Sequence, residues 1–215
     1  MSLAYPLDIL VVWPGWTTSF SLRWRKEYSS QTRGRRLSKD MGPPLWSLAA
    51  VSRTLSANEL DHWRARLDAL EGGGKTFKGY KLSRVYPIAY PKGAWPTGGA
   101  FSGETAAIHT IGTGYRSLRV DGLPAAFKLS IGDMLSIDRG SGRRDLHEVV
   151  EAATASGAGL TPEFEVRPHI WTGAAVDDPV SVIRPWCLME LETVQADADP
   201  QTGRGVISFT GIEVR

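Results

Sequence analysis

The chain has a single cysteine, Cys187, so it cannot form an intrachain disulfide, and a disulfide-stapled secreted module is excluded. It has no apolar run near the ~20 residues that a spanning helix needs. The short apolar stretch Leu7 to Val12 contains Asp8 and is not preceded by a basic segment, so it does not read as a secretory signal. The expectation is a protein made in the cytoplasm and used without membrane insertion. Net charge is also scarce, at +2, which gives no global pull toward nucleic acid. The four histidines, His62, His109, His147 and His169, do not stand at metal-ligand spacing from a cysteine or from one another. The serines do not show a Gly-x-Ser-x-Gly elbow. No catalytic, cofactor or metal residue is assigned, and the chain is read as a non-enzyme.

What is present is an ordinary globular composition. Of 215 residues, 42% are hydrophobic and 22% charged, enough to bury a substantial core. The charges are unevenly placed. Arg23, Arg25, Lys26, Arg33, Arg35, Arg36 and Lys39 stand against the single acid Glu27, whereas Glu190, Glu192, Asp197 and Asp199 form an acidic stretch near the other end. Separated patches of opposite sign can draw copies together head to tail; they can equally be solvated faces that never meet.

Period-two alternation and turn residues mark many short strands. Leu7 to Trp13 reads as a strand closed by Pro14-Gly15, forming a hairpin with Thr17 to Lys26, in which Phe20, Leu22 and Trp24 alternate with polar residues. Ser29 to Pro44 lacks periodicity and reads as an exposed loop. Leu45 to Arg53 is a strand. Ser56 to Leu70 is the one helix: Leu60, Trp63, Leu67 and Leu70 share a face, Ser56 and Glu59 form a capping box, and Gly72-Gly73-Gly74 ends it. Gly79 to Gly103, rich in Gly, Pro and Tyr, reads as a connector or extended arm. Further strands are expected at Thr105 to Ile111, Ser117 to Val120, Met134 to Ile137, Leu146 to Ala152, Glu163 to Ile170, Val180 to Leu191 and Val206 to Val214. The fold class is mainly β with one α-helix. Residues 1–102 plus 177–215 are expected to form one domain, with 103–176 inserted as a small β-barrel.

Two motifs carry weak chemical signals. Gly72-Gly-Gly-Lys75-Thr76 ends like a phosphate-binding loop, but Ala69 stands where the first glycine belongs and a helix precedes it. Eight tryptophans are many for this length. Core packing explains Trp24 and Trp63 best, since both lie on apolar faces. Trp16 and Trp95, beside Gly or Pro, are better candidates for subunit contact. With Arg33, Arg35, Arg36, Glu190 and Glu192 they make up the candidate contact residues.

Several segments in order resemble the distal tail protein family of long-tailed bacteriophages. They are Leu45-Trp46 followed by Leu55 to Arg64, Leu67 to Gly73 and Thr76-Phe77; then Val120-Asp-Gly-Leu-Pro124 with Leu129 to Leu135; then Leu146 to Val149, Val166-Arg-Pro168 and the late strand from Val180. The resemblance covers about two thirds of the chain, and its motifs are structural. It implies a sandwich-like or barrel-like ring domain carrying a small oligonucleotide-binding-type barrel. It also implies a homo-oligomeric, typically hexameric, ring in the virion that joins the tail tube protein to hub or tip proteins of the baseplate. No specific nucleic acid and no cofactor is implied. The alternatives from other classes are a carbohydrate-binding module using exposed tryptophan, and a cell-wall-degrading enzyme.

Overall fold

The computed structural model describes residues 3–30, 34, 36–96 and 101–215, with the backbone alone at Trp16. In chain order the strands are β1 (Gly15–Arg23), β2 (Lys26–Ser30), β3 (Arg36–Asp40), β4 (Leu45–Ser52), β5 (Phe77–Gly79), β6 (Ala106–Ile111), β7 (Ser117–Asp121) and β8 (Lys128–Leu129). They continue with β9 (Met134–Asp138), β10 (Arg144–Val149), β11 (Ala153–Thr154), β12 (Phe164–Arg167), β13 (Pro179–Ser181), β14 (Cys187–Ala198) and β15 (Gly205–Glu213). Among the described residues α1 (Ala57–Asp68) is the only α-helix, and no helix is long and apolar enough to cross a membrane. The protein is mainly β with a single helix, as its alternation and turn residues predict.

The chain forms two compact units. One comprises Met1–Val12, Thr76–Met189 and Arg215; the other comprises Trp13–Lys75 and Glu190–Val214. The main segment of the first unit, Thr76–Met189, thus lies along the chain between the two halves of the second.

The first unit is a closed six-stranded barrel in the order β10-β12-β7-β6-β13-β9. Its interior is filled by alternate residues of neighbouring strands, such as Ile108, Leu118, Val120, Leu135, Ile137, Phe164 and Val166. The closing strand β13 pairs with both β6 and β9. It lies beyond the expected barrel end at 176, because Asp177-Asp178 is a turn within the barrel: Asp177 donates to the Ile108 carbonyl and Ile108 to that of Asp178. The Gly79 to Gly103 connector belongs to this unit as well. Its Tyr90 is buried in the barrel core, with its ring 4.6 Å from that of Phe127, and its hydroxyl accepts the Lys128 amide at 2.7 Å. Gly159 has a φ of +79°, and a Cβ there would run into the Leu123 carbonyl. Gly159→Ala should therefore lower the unfolding free energy of the barrel by about 1–3 kcal/mol, read as a lower denaturation midpoint; an unchanged midpoint would show that the turn can move aside.

In the second unit the sheet order is β1-β4-β15-β14, with β1 antiparallel to β4 and β4 antiparallel to β15. Helix α1 packs on this sheet through Leu60, Trp63 and Leu67, all buried. The capping box is present: the Glu59 carboxylate accepts both the amide and the hydroxyl of Ser56 at 2.9 Å. Arg53 pairs with the same carboxylate, and these bonds hold Glu59 below the usual carboxylate range. The helix closes at Ala69, and the left-handed Gly72 and Gly73 lie in the 3-10 turn that follows.

Two sequence expectations are overturned here. Leu7 to Trp13 is no strand: Leu7 makes one parallel bridge to Phe77, and Leu10–Val12 forms a 3-10 turn. The buried residues are Leu7, Ile9, Leu10 and Trp13, a spacing that does not alternate. Accordingly β1 pairs with β4 and not with a preceding strand. The expected loop from Ser29 to Pro44 instead contributes to an antiparallel hairpin, with Lys26 opposite Asp40 and Ser30 opposite Arg36. Every described residue of β2 and β3 is exposed, so there was no buried face to impose a hydrophobic period.

Candidate assembly surface

The β2–β3 arm is the least conventional element of the second unit. A two-stranded hairpin without a buried face is marginally stable in water, so its cross-strand pairs have to hold it. Lys26 lies opposite Asp40 and Glu27 opposite Lys39, both pairs of opposite charge. The Arg36 guanidinium stacks 3.7 Å above the Tyr28 ring. At its base Met41 donates to the Arg25 carbonyl at 2.7 Å, and Gly42, at φ +134°, lets the chain leave the arm.

The arm also carries apolar surface. Trp24, Tyr28, Leu37 and Met41 are all exposed, Trp24 by 53%. The expectation that Trp24 fills the core is therefore wrong: it sits after the end of β1, where the chain leaves the sheet for the arm. Trp63 does fill the core, at 6% exposure.

At the base of the arm lies an open cleft of about 700 Å3, lined among others by Trp24, Arg25, Lys26, Met41 and Glu192. Its electrostatics are specific. Arg23 and Glu192 pair at 3.0 Å, so they neutralise each other. The Lys26 ammonium sits 5.3 Å from the Trp24 ring centroid. Among the described residues no carboxylate forms an ion pair with Arg25 or Lys26. Glu27 also lines the cleft, with Lys39 opposite it in the hairpin, and Lys26 stands opposite Asp40 without forming an ion pair with it. With Arg23 and Glu192 cancelling, the cleft keeps an excess of positive charge from Arg25 and Lys26 beside an exposed indole and a methionine, a combination suited to an anionic segment with some apolar surface.

The expected contact residues are distributed unevenly about this surface. Arg36 is on the arm and exposed. Arg33 and Arg35 lie outside the described residues, as does the side chain of Trp16, whose backbone is in β1. Glu190 is half-buried on β14, and Glu192 is already taken by Arg23 of the same unit. Basic and acidic stretches thus meet within one chain at this pair. Trp95 is partly buried: it packs against the barrel core, 5.1 Å from Phe101 and 5.7 Å from Phe127. Its Gly and Pro neighbours suggested a loop, and it is one, but folded inward.

Sequence reasoning missed Trp24, Arg25, Lys26 and Met41 as a cluster. The signal available was the interruption of alternation at Trp24-Arg25-Lys26, where an aromatic residue sits among cations. It also missed a buried polar group inside the barrel. Leu135 faces His147 and Ile137 faces Asp145 across β9 and β10, and since Leu135 and Ile137 line the core, Asp145 and His147 point inward too. Asp145 pairs with Arg139 at 2.6 Å, both almost fully buried.

The remaining chemical candidates do not assemble. Gly72 to Thr76 follows α1 and leads into β5, so there is no helix N-terminus to receive a phosphate. Asp133 is buried and accepts the Ile88 and Ser130 amides, each at 2.7 Å. Burial pushes its carboxyl up, and its bonds pin two loops of the barrel. Cys187 is buried, with its thiol 3.7 Å from the Gly79 carbonyl. No group of three or more His, Cys, Asp or Glu is placed to hold a metal among the described residues. No protein-family model matches the chain, and no curated protein matches it.

Proposed function

We propose that the protein is a structural component of a bacteriophage tail tip, forming a homo-oligomeric ring that links the tail tube to the baseplate or tip complex. The reading rests first on the ordered resemblance in the sequence. The observation that carries it furthest is the exposed β2–β3 arm and its base, where Trp24, Tyr28, Leu37 and Met41 stand together in solvent beside the arm's charges. Exposed apolar residues grouped with charge mark surfaces that pack against protein. A helix-backed sheet in one unit and a closed six-stranded barrel, inserted along the chain, in the other also match the architecture that the resemblance implies.

In this role the protein performs no reaction. Subunits join through two different patches, and when the rotation between neighbours closes, the result is a ring that presents one docking face to the tube and another to the tip proteins. The test is the mass of the purified protein, alone and together with its tail neighbours. A defined multiple of the chain mass, visible as rings by electron microscopy, is expected. A strict monomer that binds glycans through Trp24 would replace this reading with a carbohydrate-binding module.

A further inference from the structure

Resting on that reading, we propose that the cleft at the base of the arm receives the acidic turn between β14 and β15 of a second copy, with Asp197 and Asp199 reaching Arg25 and Lys26, and Pro200 lying on Trp24.

The two halves of this contact are built from different features. The cleft has Arg25 and Lys26, neither in an ion pair among the described residues, against Glu27 as the one lining acid not paired with Arg23, and beside them an indole and a thioether in solvent. The turn is its counterpart in charge. Asp199 accepts the Gln201 amide at 2.9 Å and the Thr202 hydroxyl at 2.7 Å, which keep its carboxylate ionised and fixed in place. Asp197 is exposed and holds the Gln195 amide group at 3.1 Å. Pro200 stands at the exposed tip and supplies a rigid apolar ring to an aromatic face, at little entropic cost. The turn is therefore already in shape before it docks.

A chain cannot make this contact with itself. Glu192 lines the cleft, and from there β14 runs extended to Ala198 before the turn begins. Seven residues of strand separate Glu192 from Asp199, roughly 23 Å at 3.3 Å each. The cleft thus lies beside the middle of β14 and the turn beyond its end, and the contact is head to tail between copies, the kind that generates a ring when the rotation closes. It also gives the acidic stretch a division of labour: Glu192 steadies the cleft of its own chain, whereas Asp197 and Asp199 enter that of the next.

The experiment is a charge swap read by sedimentation velocity over a range of protein concentrations. Arg25→Glu with Lys26→Glu should weaken self-association about 100-fold, and so should Asp197→Lys with Asp199→Lys, since like charges then face each other. Mixing the two variants should restore assembly, because each cleft then meets a turn of opposite sign, and the alternating product should contain both in equal amounts. All four changes in one chain should restore it as well. A Met41→Cys, Pro200→Cys chain, mildly oxidised, should give a ladder of crosslinked multimers that neither Met41→Cys nor Pro200→Cys alone gives, the native Cys187 being buried. If the wild type assembles and the charge variants assemble equally well, this contact is wrong and the ring reading stands. If the wild type remains monomeric at every concentration and gives no crosslinked ladder, the ring reading itself fails.

Discussion

Trp63→Ala should destabilise the helix-and-sheet unit by about 3–5 kcal/mol. The side chain is 6% exposed and is one member of an aromatic stack that ties α1 to the sheet. Its ring meets Trp13 edge-on at 4.9 Å, and Trp13 meets Phe209 of β15 edge-on at 4.9 Å. Truncation removes the largest knob on the helix face and leaves Trp13 with one partner instead of two, and edge-to-face pairs contribute beyond their buried area. The cavity cannot refill easily, because the neighbouring Leu60 and Leu67 are already buried at 1% exposure. The denaturant midpoint should fall accordingly, and the near-ultraviolet circular dichroism of the coupled indoles should weaken. His62→Ala, on the exposed side of the same turn, should change the unfolding free energy by no more than about 0.5 kcal/mol. A Trp63→Ala loss below about 1 kcal/mol would mean that the stack does not hold the helix.

The helix was legible because its signals agree. Four apolar residues at helical spacing, a reciprocal cap and a glycine stop all describe one amphipathic element with one buried face. The barrel strands were legible for a related reason: Phe164 and Val166 alternate with Glu165 and Arg167 because one face is sealed and the other is wet. Legibility failed where burial does not follow a period. In Leu7 to Trp13 a single bridge at Leu7 is followed by a 3-10 turn at Leu10–Val12, and apolar composition alone gave the wrong element. The arm failed in the opposite way. Its register sets opposite charges across from one another and stacks Arg36 on Tyr28, features that no local pattern announces.

The candidate surface was legible as charge but not as geometry. Composition marks Arg23 to Lys39 as basic and Glu190 to Asp199 as acidic, yet it does not say which charges are spent inside the chain. Arg23 and Glu192 neutralise each other across a sequence separation of 169 residues, which leaves Arg25 and Lys26 as the cleft's cations outside any ion pair among the described residues. In the same way Trp95 and Trp24 exchange roles. Trp95 is drawn in by Tyr90, Phe101 and Phe127, and Trp24 is left in solvent because β1 ends one residue before it.

The barrel should lose stability as pH falls from about 6.5 to about 4, by about 3 kcal/mol in total, through His147 alone. This imidazole is fully enclosed, and burial pushes its pKa down to about 4. Its Nδ1 lies 2.9 Å from the Pro168 carbonyl. A carbonyl only accepts, so the proton is on Nδ1 and the buried Nε2 carries a lone pair with no hydrogen-bond partner. Protonation would place an N–H there without an acceptor. The Pro168 bond and the nearby Asp145 favour the charged ring, whereas Arg215 and Arg139 oppose it, and none of these overcomes the loss of water. Because the folded pKa lies below the unfolded one, the unfolded chain binds the extra proton first. The contribution is fully present above about pH 6.5, declines as the pH falls and levels off below about pH 4. Hydrogen exchange of the β9 and β10 amides, compared between wild type and His147→Gln from pH 7 to pH 4, isolates this effect from the general titration of carboxylates. The wild type should lose protection more steeply than the variant across that interval. Parallel profiles would show that His147 is already relieved of its burial, through an opening of the barrel end around the Arg139–Asp145 pair.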